Sequence, residues 1–334
     1  MNFPISLQTS WRGKRYNAFN RELRDAFGTR VYKVGLRLDF TCPNRDGKVA
    51  VGGCIYCNNA SHTPDGYRPR TSVTEQLRQG VIAVHRRHRA ERFIAHFQSY
   101  SNTYESVEKL ESLYLEALSF PGVVGLSIST RPDCLPSEVL DLLTELSRRT
   151  YLWLELGLES VHDRSLNWAN RGHGIREFAD AVERCKIRGI RICTHLIFGF
   201  PDENREDMLA GANILNGLGI DGIKLHNLHV IKNTALERIY KAQPFALLTR
   251  HQYAELVVDF LELLSPEIVI HRLTGETYRA LTIAPDWSIN KIGTHNAINE
   301  LLTKRDTWQG KYYRSDSIHQ RSLFSMSCSE GAGL

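Results

Sequence analysis

Six stretches, 34–41, 92–100, 123–129, 152–159, 190–198 and 222–228, alternate apolar and polar side chains with the period of two that marks a β-strand. Between them, 107–118, 137–148, 175–188 and 205–218 place apolar residues three and four apart, the period of an amphipathic helix. Strand and helix in alternation predict repeated βα units and a parallel sheet. Helices are also expected over 17–26, 249–264 and 290–302, and a possible seventh strand over 267–273, ending in the polar turn Thr274-Gly-Glu276.

The two faces of these strands differ in kind. Val34, Leu36, Leu38 and Phe40 share one face, and Arg37, Asp39 and Thr41 the other. Phe93, Ala95 and Phe97 oppose His96 and Gln98, and the leucines at 152, 154, 156 and 158 oppose Trp153, Glu155, Gly157 and Glu159. In the last two strands Arg191, Cys193, His195, Lys224 and His226 oppose aliphatic neighbours. The apolar faces must meet the helices, so the polar faces must line the interior. A closed βα barrel fills its interior with branched aliphatics. A polar interior predicts instead a partial, open βα barrel of about six parallel strands, with the active site inside it.

Length bounds the organisation. The 334 residues, 42% of them apolar, suit one such barrel with terminal additions, and no apolar run approaches the ~18 residues needed to cross a bilayer. The expected layout is an arm over 1–33, a core over 34–230, an extension over 231–320 that closes the barrel, and a disordered tail over 321–334 that holds Cys328. No charged-then-apolar leader opens the chain, and its seven cysteines are an odd number, so a cytoplasmic protein with reduced thiols is expected. The net charge of +5 is concentrated in the N-terminal arm and in a helix that carries Arg78, Arg86, Arg87, Arg89 and Arg92. Such clusters can meet RNA phosphates or can simply be solvated.

The chemistry centres on Asp39-Phe-Thr-Cys-Pro-Asn-Arg-Asp-Gly and Gly52-Gly-Cys-Ile-Tyr-Cys. Cys42, Cys54 and Cys57 are spaced C-x11-C-x2-C in a loop directly after the first strand. Three thiolates would hold a four-iron, four-sulfur cluster with one iron open to a ligand. The competing reading is zinc, with His62 as fourth ligand. Cys134, Cys185 and Cys193 read as buried packing residues.

A three-cysteine loop at this place, with Tyr56 directly before the last cysteine, resembles the radical S-adenosylmethionine (SAM) superfamily. Gln98-Ser-Tyr-Ser, Glu155-Leu-Gly-Leu-Glu-Ser160 with Asn170-Arg-Gly-His173, and His195-Leu-Ile-Phe-Gly-Phe-Pro-Asp202 resemble its strand-end motifs, as found in the branch of coproporphyrinogen oxidase and Elongator subunit three. The cysteine motifs together with His271-Arg-Leu-Thr-Gly resemble the bacterial YhcC/YtqA family. The resemblance implies a radical SAM fold, a [4Fe-4S] cluster and SAM. It also implies reductive cleavage of SAM to a 5′-deoxyadenosyl radical and an electron donor such as flavodoxin or ferredoxin. For the substrate it implies tRNA, with a carboxymethylaminomethyl group on the wobble uridine processed toward aminomethyl. Tyr56, Gln98, Ile197 and Gly199 would then lie against SAM.

Position alone adds further candidates. Glu159, Ser129 and Arg131 occupy strand ends, where barrel ligands bind, and are assigned to SAM. Lys224, His226 and Glu276 occupy or follow strand ends away from the cysteines, and are assigned to the substrate side. A small-molecule or peptide substrate fits the same enzyme. A zinc-stabilised RNA-binding protein without catalysis is the alternative from another class.

Overall fold

The computed structural model describes residues 3–58 and 71–314. His62 and the tail with Cys328 lie outside the described residues. Helices α1 (Ile5–Ser10) and α2 (Phe19–Phe27) lead into β1 (Val31–Leu36). Then come α3 (Val73–His88), β2 (Arg92–Phe97), α4 (Val107–Ser119), β3 (Val123–Thr130), α5 (Ser137–Arg149) and β4 (Tyr151–Glu159). The chain continues through α6 (Asp163–Trp168), α7 (Ile175–Ile187), β5 (Ile192–Phe198), α8 (Arg205–Leu218), β6 (Gly222–Asn227) and β7 (Val230–Ile231). It ends with α9 (Ala235–Ala242), α10 (Arg250–Leu263), β8 (Val269–Arg272), β9 (Thr282–Ala284) and α11 (Lys291–Lys304). Among the described residues no helix is long and apolar enough to cross a membrane.

Seven strands form one parallel sheet in the order β1-β2-β3-β4-β5-β6-β8, curled into an open half-barrel. The seventh strand of the sequence reading is thus present, at Val269–Arg272. The first strand is displaced: it runs over Val31–Leu36 and not over 34–41. β1 is an edge strand whose pairing with β2 runs from Val31↔Arg92 to Leu36↔Phe97, and it ends where its partner ends. Leu38 and Phe40 stay buried beyond it, which is why the apolar pattern outlasts the strand. β7 and β9 form a separate antiparallel pair that the alternation did not reveal, being only two and three residues long.

The outer faces of the strands make the main core with the helices. Leu36, Phe97, Ile128, Leu154, Ile192 and Leu225 are fully buried there against residues such as Leu77, Tyr114, Leu143, Phe178 and Phe260. Each such side chain contributes about 1.5–3 kcal/mol by leaving water. The interior has its own floor, at the N-terminal ends of the strands, built from Val31, Ile94, Trp153, Cys193 and Val269 with Phe19 and Leu23 of α2.

α2 therefore spans the gap between the two unpaired edges. Its leading residue Ala18 bridges to Ile270 of β8, whose N–H donates to the Asn17 carbonyl at 2.7 Å, while its trailing end enters β1. The rest of the arm is fastened to the C-terminal region. Phe3 and Trp11 pack with Trp308, and Arg15 pairs with Asp306 at 2.9 Å. Gln309 Oε1 accepts from the Asn17 N–H at 2.9 Å. Much of the arm's positive charge is thereby spent on structure, since Arg12 and Arg21 also both pair with Asp25.

Candidate active site

The loop after β1 carries all three motif cysteines, and each is a free thiol. Its turns are held by backbone bonds, Arg45 N–H to the Cys42 carbonyl at 2.8 Å and Cys57 N–H to the Cys54 carbonyl at 3.0 Å. Side chains then latch it to the segment after α6. Asn44 Nδ2 donates to the Asn170 carbonyl (2.5 Å), Asn170 Nδ2 donates to the Gly53 carbonyl (2.9 Å), and Ile55 N–H donates to the Ala169 carbonyl (3.0 Å). Gly172 has a φ of 73°, and a Cβ there would lie 2.5 Å from Asn44 Oδ1, so glycine is required both for the turn and for the approach.

This latch brings two N–H donors onto one sulfur. Asn44 Nδ2 and Arg171 Nη1 each lie 3.5 Å from Cys54 Sγ, which is buried. Donors aimed at a sulfur stabilise its thiolate, the form that ligates metal. Burial pushes the neighbouring Cys57 thiol up to about 11, with Cys54 adding to the shift. These three thiols, Cys42 half-buried among them, therefore suit a group that brings positive charge of its own. Among the described residues no three histidine, cysteine or acidic side chains converge as one metal ion would need. Three free thiols on one loop are a donor set that fits an iron–sulfur cluster.

Just above the strand ends a second group surrounds Arg171. Its Nη2 donates to the Gly157 carbonyl at 2.6 Å and lies 3.7 Å from Glu159 Oε1. Arg131 donates from Nη1 to the Arg171 carbonyl (2.8 Å) and pairs through Nη2 with Asp133 (2.7 Å). A Cβ at residue 157 would lie 2.5 Å from Glu159 Oε1 and 2.6 Å from Arg171 Nη2, so glycine is what lets them meet. Glu159 closes β4 with a φ of 80°, a left-handed conformation that side chains rarely adopt. Its carboxyl is raised above the ordinary range by burial, against the pull of Arg171 and Arg131.

One level down, the interior is organised on Glu155, which is fully buried on β4. It accepts from Lys33 Nζ (2.6 Å), Ser127 Oγ (2.5 Å) and Ser129 Oγ (3.0 Å), and it pairs with Lys224. The Nε2 atoms of His96 and His195 stand 3.2 and 3.1 Å from its Oε2. Burial alone would raise this carboxyl, yet Lys224, Lys33 and His96 together hold it well below the usual range. The same burial lowers Lys224 to about 8, His96 to about 3 and His195 to about 4. Both imidazoles are neutral at pH 7. The polar interior expected from the alternation is present, with an ion-paired network at its centre.

The sequence candidates fall into these groups unevenly. Ser129 and Lys224 meet on Glu155, and Arg131 and Glu159 meet around Arg171. Tyr56 and Ile197 share an apolar wall with Phe200, Leu228 and Trp168, beside the cysteine loop. Gly199 sits at the end of β5 under Leu248, with its N–H donating to Met208 Sδ at 3.2 Å. Gln98 is half-buried just beyond β2, where its N–H donates to the Leu36 carbonyl at 3.3 Å. His226 is at the mouth, its ring 5.6 Å from that of His195. Glu276 points outward to Lys291 at 3.4 Å and is exposed.

Lys33, Asn44 and Arg171 were not picked out by role. Lys33 lies one residue before the predicted strand, and Asn44 and Arg171 stand inside motifs whose chemistry-bearing residues are a cysteine and a glutamate. Arg191, which could have served Glu155, pairs instead with Glu22 of α2 at 2.9 Å. Arg86, Arg87 and Arg89, at the C-terminal end of α3, make no ion pair among the described residues. They lie beside the start of β2, at the opposite end of the strands from the cysteine loop.

Comparison with known proteins gives the family and the fold. Residues 44–213 match the Radical SAM superfamily, and residues 220–304 match the Radical_SAM C-terminal domain. YtqA of Bacillus subtilis is 40% identical over 301 residues, spanning 90% of this chain and 94% of that protein. YhcC of Escherichia coli is 37% identical over 279 residues, spanning 83% of this chain and 89% of that protein. Among solved structures, archaeal Methanocaldococcus infernus Elp3 superposes with a TM-score of 0.61 at 16% identity, covering 84% of this chain. The chain spans 64% of that Elp3 structure, and the likeness is one of fold.

Proposed function

The chain belongs to the radical SAM superfamily of enzymes, and from that premise we propose that Cys42, Cys54 and Cys57 hold a [4Fe-4S] cluster that acts with SAM on a tRNA wobble-uridine side chain. When bound, cluster and SAM supply one-electron cleavage to methionine and a 5′-deoxyadenosyl radical; the protein supplies orientation and a shielded chamber. The observation that carries the reading is the latch: Asn44 from the cysteine motif and Arg171 from the Asn170-Arg-Gly motif both aim N–H groups at Cys54 Sγ. Two segments over a hundred residues apart in sequence thus serve one sulfur.

The residues divide by height in the half-barrel. Arg171, Arg131 and Glu159 hold the ring of charge around the strand ends, where SAM would lie with Gln98, Gly199 and the apolar wall of Tyr56 and Ile197; Ser129, engaged by its hydroxyl on Glu155, belongs to the level below. Lys224 and the Glu155 network, one level down, and His226, at the mouth, are assigned to the substrate side. The tRNA assignment is supported by similarity to the YhcC/YtqA family, and the reaction it implies takes carboxymethylaminomethyl toward aminomethyl. The electron would come from a flavodoxin or ferredoxin.

The test is anaerobic reconstitution, reduction by dithionite with SAM, and assay of 5′-deoxyadenosine, followed by nucleoside analysis of tRNA carrying the carboxymethylaminomethyl group. The expected result is deoxyadenosine and a new aminomethyl nucleoside, both absent from Cys54→Ala. Deoxyadenosine with unchanged tRNA would remove the substrate assignment and leave a small molecule or peptide. A colourless protein holding stoichiometric zinc would remove the cluster.

A further inference from the structure

The chamber carries more positive than negative charge at one level. Glu155 is the single carboxylate among the strand residues around it, and it is already engaged by Lys33 and Lys224. His96 and His195 add no negative charge, being neutral imidazoles.

A third cation is placed beside them by an irregularity in the sheet. Ile223 of β6 pairs with Ile270 of β8, but Lys224 pairs with Arg272, so one extra residue, His271, is inserted. A bulge of this kind turns two successive side chains to one face. His271 goes down to the floor, its ring 3.9 Å from that of Phe19 in a stack and 4.3 Å from that of Trp153. Ile270 and Leu273 go outward to the main core. Arg272 is left next to Lys224, on the chamber side.

Arg272 is half-buried and makes no ion pair or side-chain hydrogen bond among the described residues. The acidic side chain that follows it, Glu276, turns away to Lys291. Arg272 is also close enough to depress Lys224, whose proton affinity falls first through burial and then through Lys33 and Arg272 despite Glu155. Three cations therefore face one carboxylate. Unpaired charge in a half-buried site is costly unless a ligand answers it, and a guanidinium presents the planar fork that fits an oxyanion.

We infer that Lys224 and Arg272 form an anion subsite deep in the chamber, and that it receives a carboxylate carried by the substrate. The inference rests on the proposed reading in taking this interior as the substrate chamber. Under the wobble-uridine assignment the carboxylate is that of the carboxymethylaminomethyl group. The subsite would then distinguish substrate from product, because removal of the carboxymethyl unit takes away the charge that Arg272 holds.

Three measurements on the reconstituted protein test this, each comparing wild type with Arg272→Gln and Arg272→Lys. The first is the thermal midpoint in sodium acetate against sodium chloride at equal ionic strength. Wild type and Arg272→Lys should gain stability from acetate, and Arg272→Gln should not. Arg272→Gln should itself melt no lower than wild type in chloride, because the residue it removes is an unanswered cation. The second is equilibrium dialysis with 5-carboxymethylaminomethyluridine and with 5-aminomethyluridine. Wild type should prefer the carboxylate by about tenfold or more, as a charge-assisted pair gives, and Arg272→Gln should lose the preference. The third is SAM affinity, which should not change.

An acetate response lost in Arg272→Gln supports the subsite even where neither nucleoside binds, and that combination would overturn the wobble-uridine assignment alone. Equal binding of the two nucleosides with no acetate response would overturn the subsite. A loss of SAM affinity in Arg272→Gln, with the nucleoside preference kept, would give the subsite to the cofactor's carboxylate and overturn the inference.

Discussion

Replacing Glu155 by glutamine keeps the side chain's volume and removes the charge on which the interior is built. Two charged partners are affected differently. Lys33 is one-fifth exposed and loses a charge-assisted hydrogen bond of 2.6 Å, worth about 1.5–3 kcal/mol. Lys224 is more deeply buried, and it has a way out. Its fall from 10.5 to about 8 shows that the folded protein already spends about 3 kcal/mol keeping it charged, at about 1.4 kcal/mol for each tenfold loss of proton affinity. Without Glu155 it falls further and discharges near pH 7, which limits its added cost to about 1.4 kcal/mol. The expected loss in Glu155→Gln is about 3–4 kcal/mol at pH 7, at the lower edge of what breaking a buried pair costs.

The pH profile separates this account from a simple packing defect. In wild type, folded and unfolded states bind Lys224's proton alike until the pH reaches about 8, and stability gains from this group between about 8 and 10.5. In Glu155→Gln the folded state has already released that proton, so the unfolded state binds more across 7–9. Its stability should therefore rise by about 1.4 kcal/mol per pH unit from pH 7, one pH unit earlier than wild type. Urea unfolding of the two proteins, followed by the fluorescence of the five tryptophans, measures both quantities. A variant within about 1 kcal/mol of wild type, with a parallel pH profile, would refute the claim that Glu155 holds charged lysines together.

Three further outcomes follow from the same geometry. His96 and His195 are neutral when folded but gain protons below pH 6.5 when unfolded, so stability should fall by about 1.4 kcal/mol per pH unit for each between 6.5 and about 4; thermal melts of wild type and His96→Asn from pH 7 to pH 5 check the slope. Cys54→Ala should abolish bound iron and sulfide after reconstitution while Cys193→Ala, altered only in the floor, retains them; equal iron in the two would dismiss Cys54 as a ligand. Gly157→Ala should cost about 1–3 kcal/mol by driving Glu159 and Arg171 apart, read as a lower denaturation midpoint, and an unchanged midpoint would show that their approach is not tight.

How far the sequence reveals such a site depends on which physical signal carries each part. The half-barrel was legible because the alternation is strict wherever both faces of a strand are constrained, as in β4, where four leucines meet the helices while Trp153, Glu155 and Gly157 turn inward. The cysteine loop was legible as a position, because its three thiols stand together directly after the first apolar-polar alternation and the loop does follow β1. Pairing inside the chamber was not, since period two says which face a residue occupies and not which neighbour it meets. Arg191 and Lys33 illustrate the difference. Both project inward, but Arg191 is taken at the floor by Glu22 of α2, while Lys33 on β1 reaches over β2 and β3 to Glu155 on β4. Arg272 shows the limit most clearly. Strict alternation would have sent it outward with Ile270, and only the extra residue in β8 turns it toward Lys224. A bulge leaves no mark in apolar periodicity over a four-residue strand, so the residue with the greatest unbalanced charge in the chamber is the one that the pattern of the chain concealed.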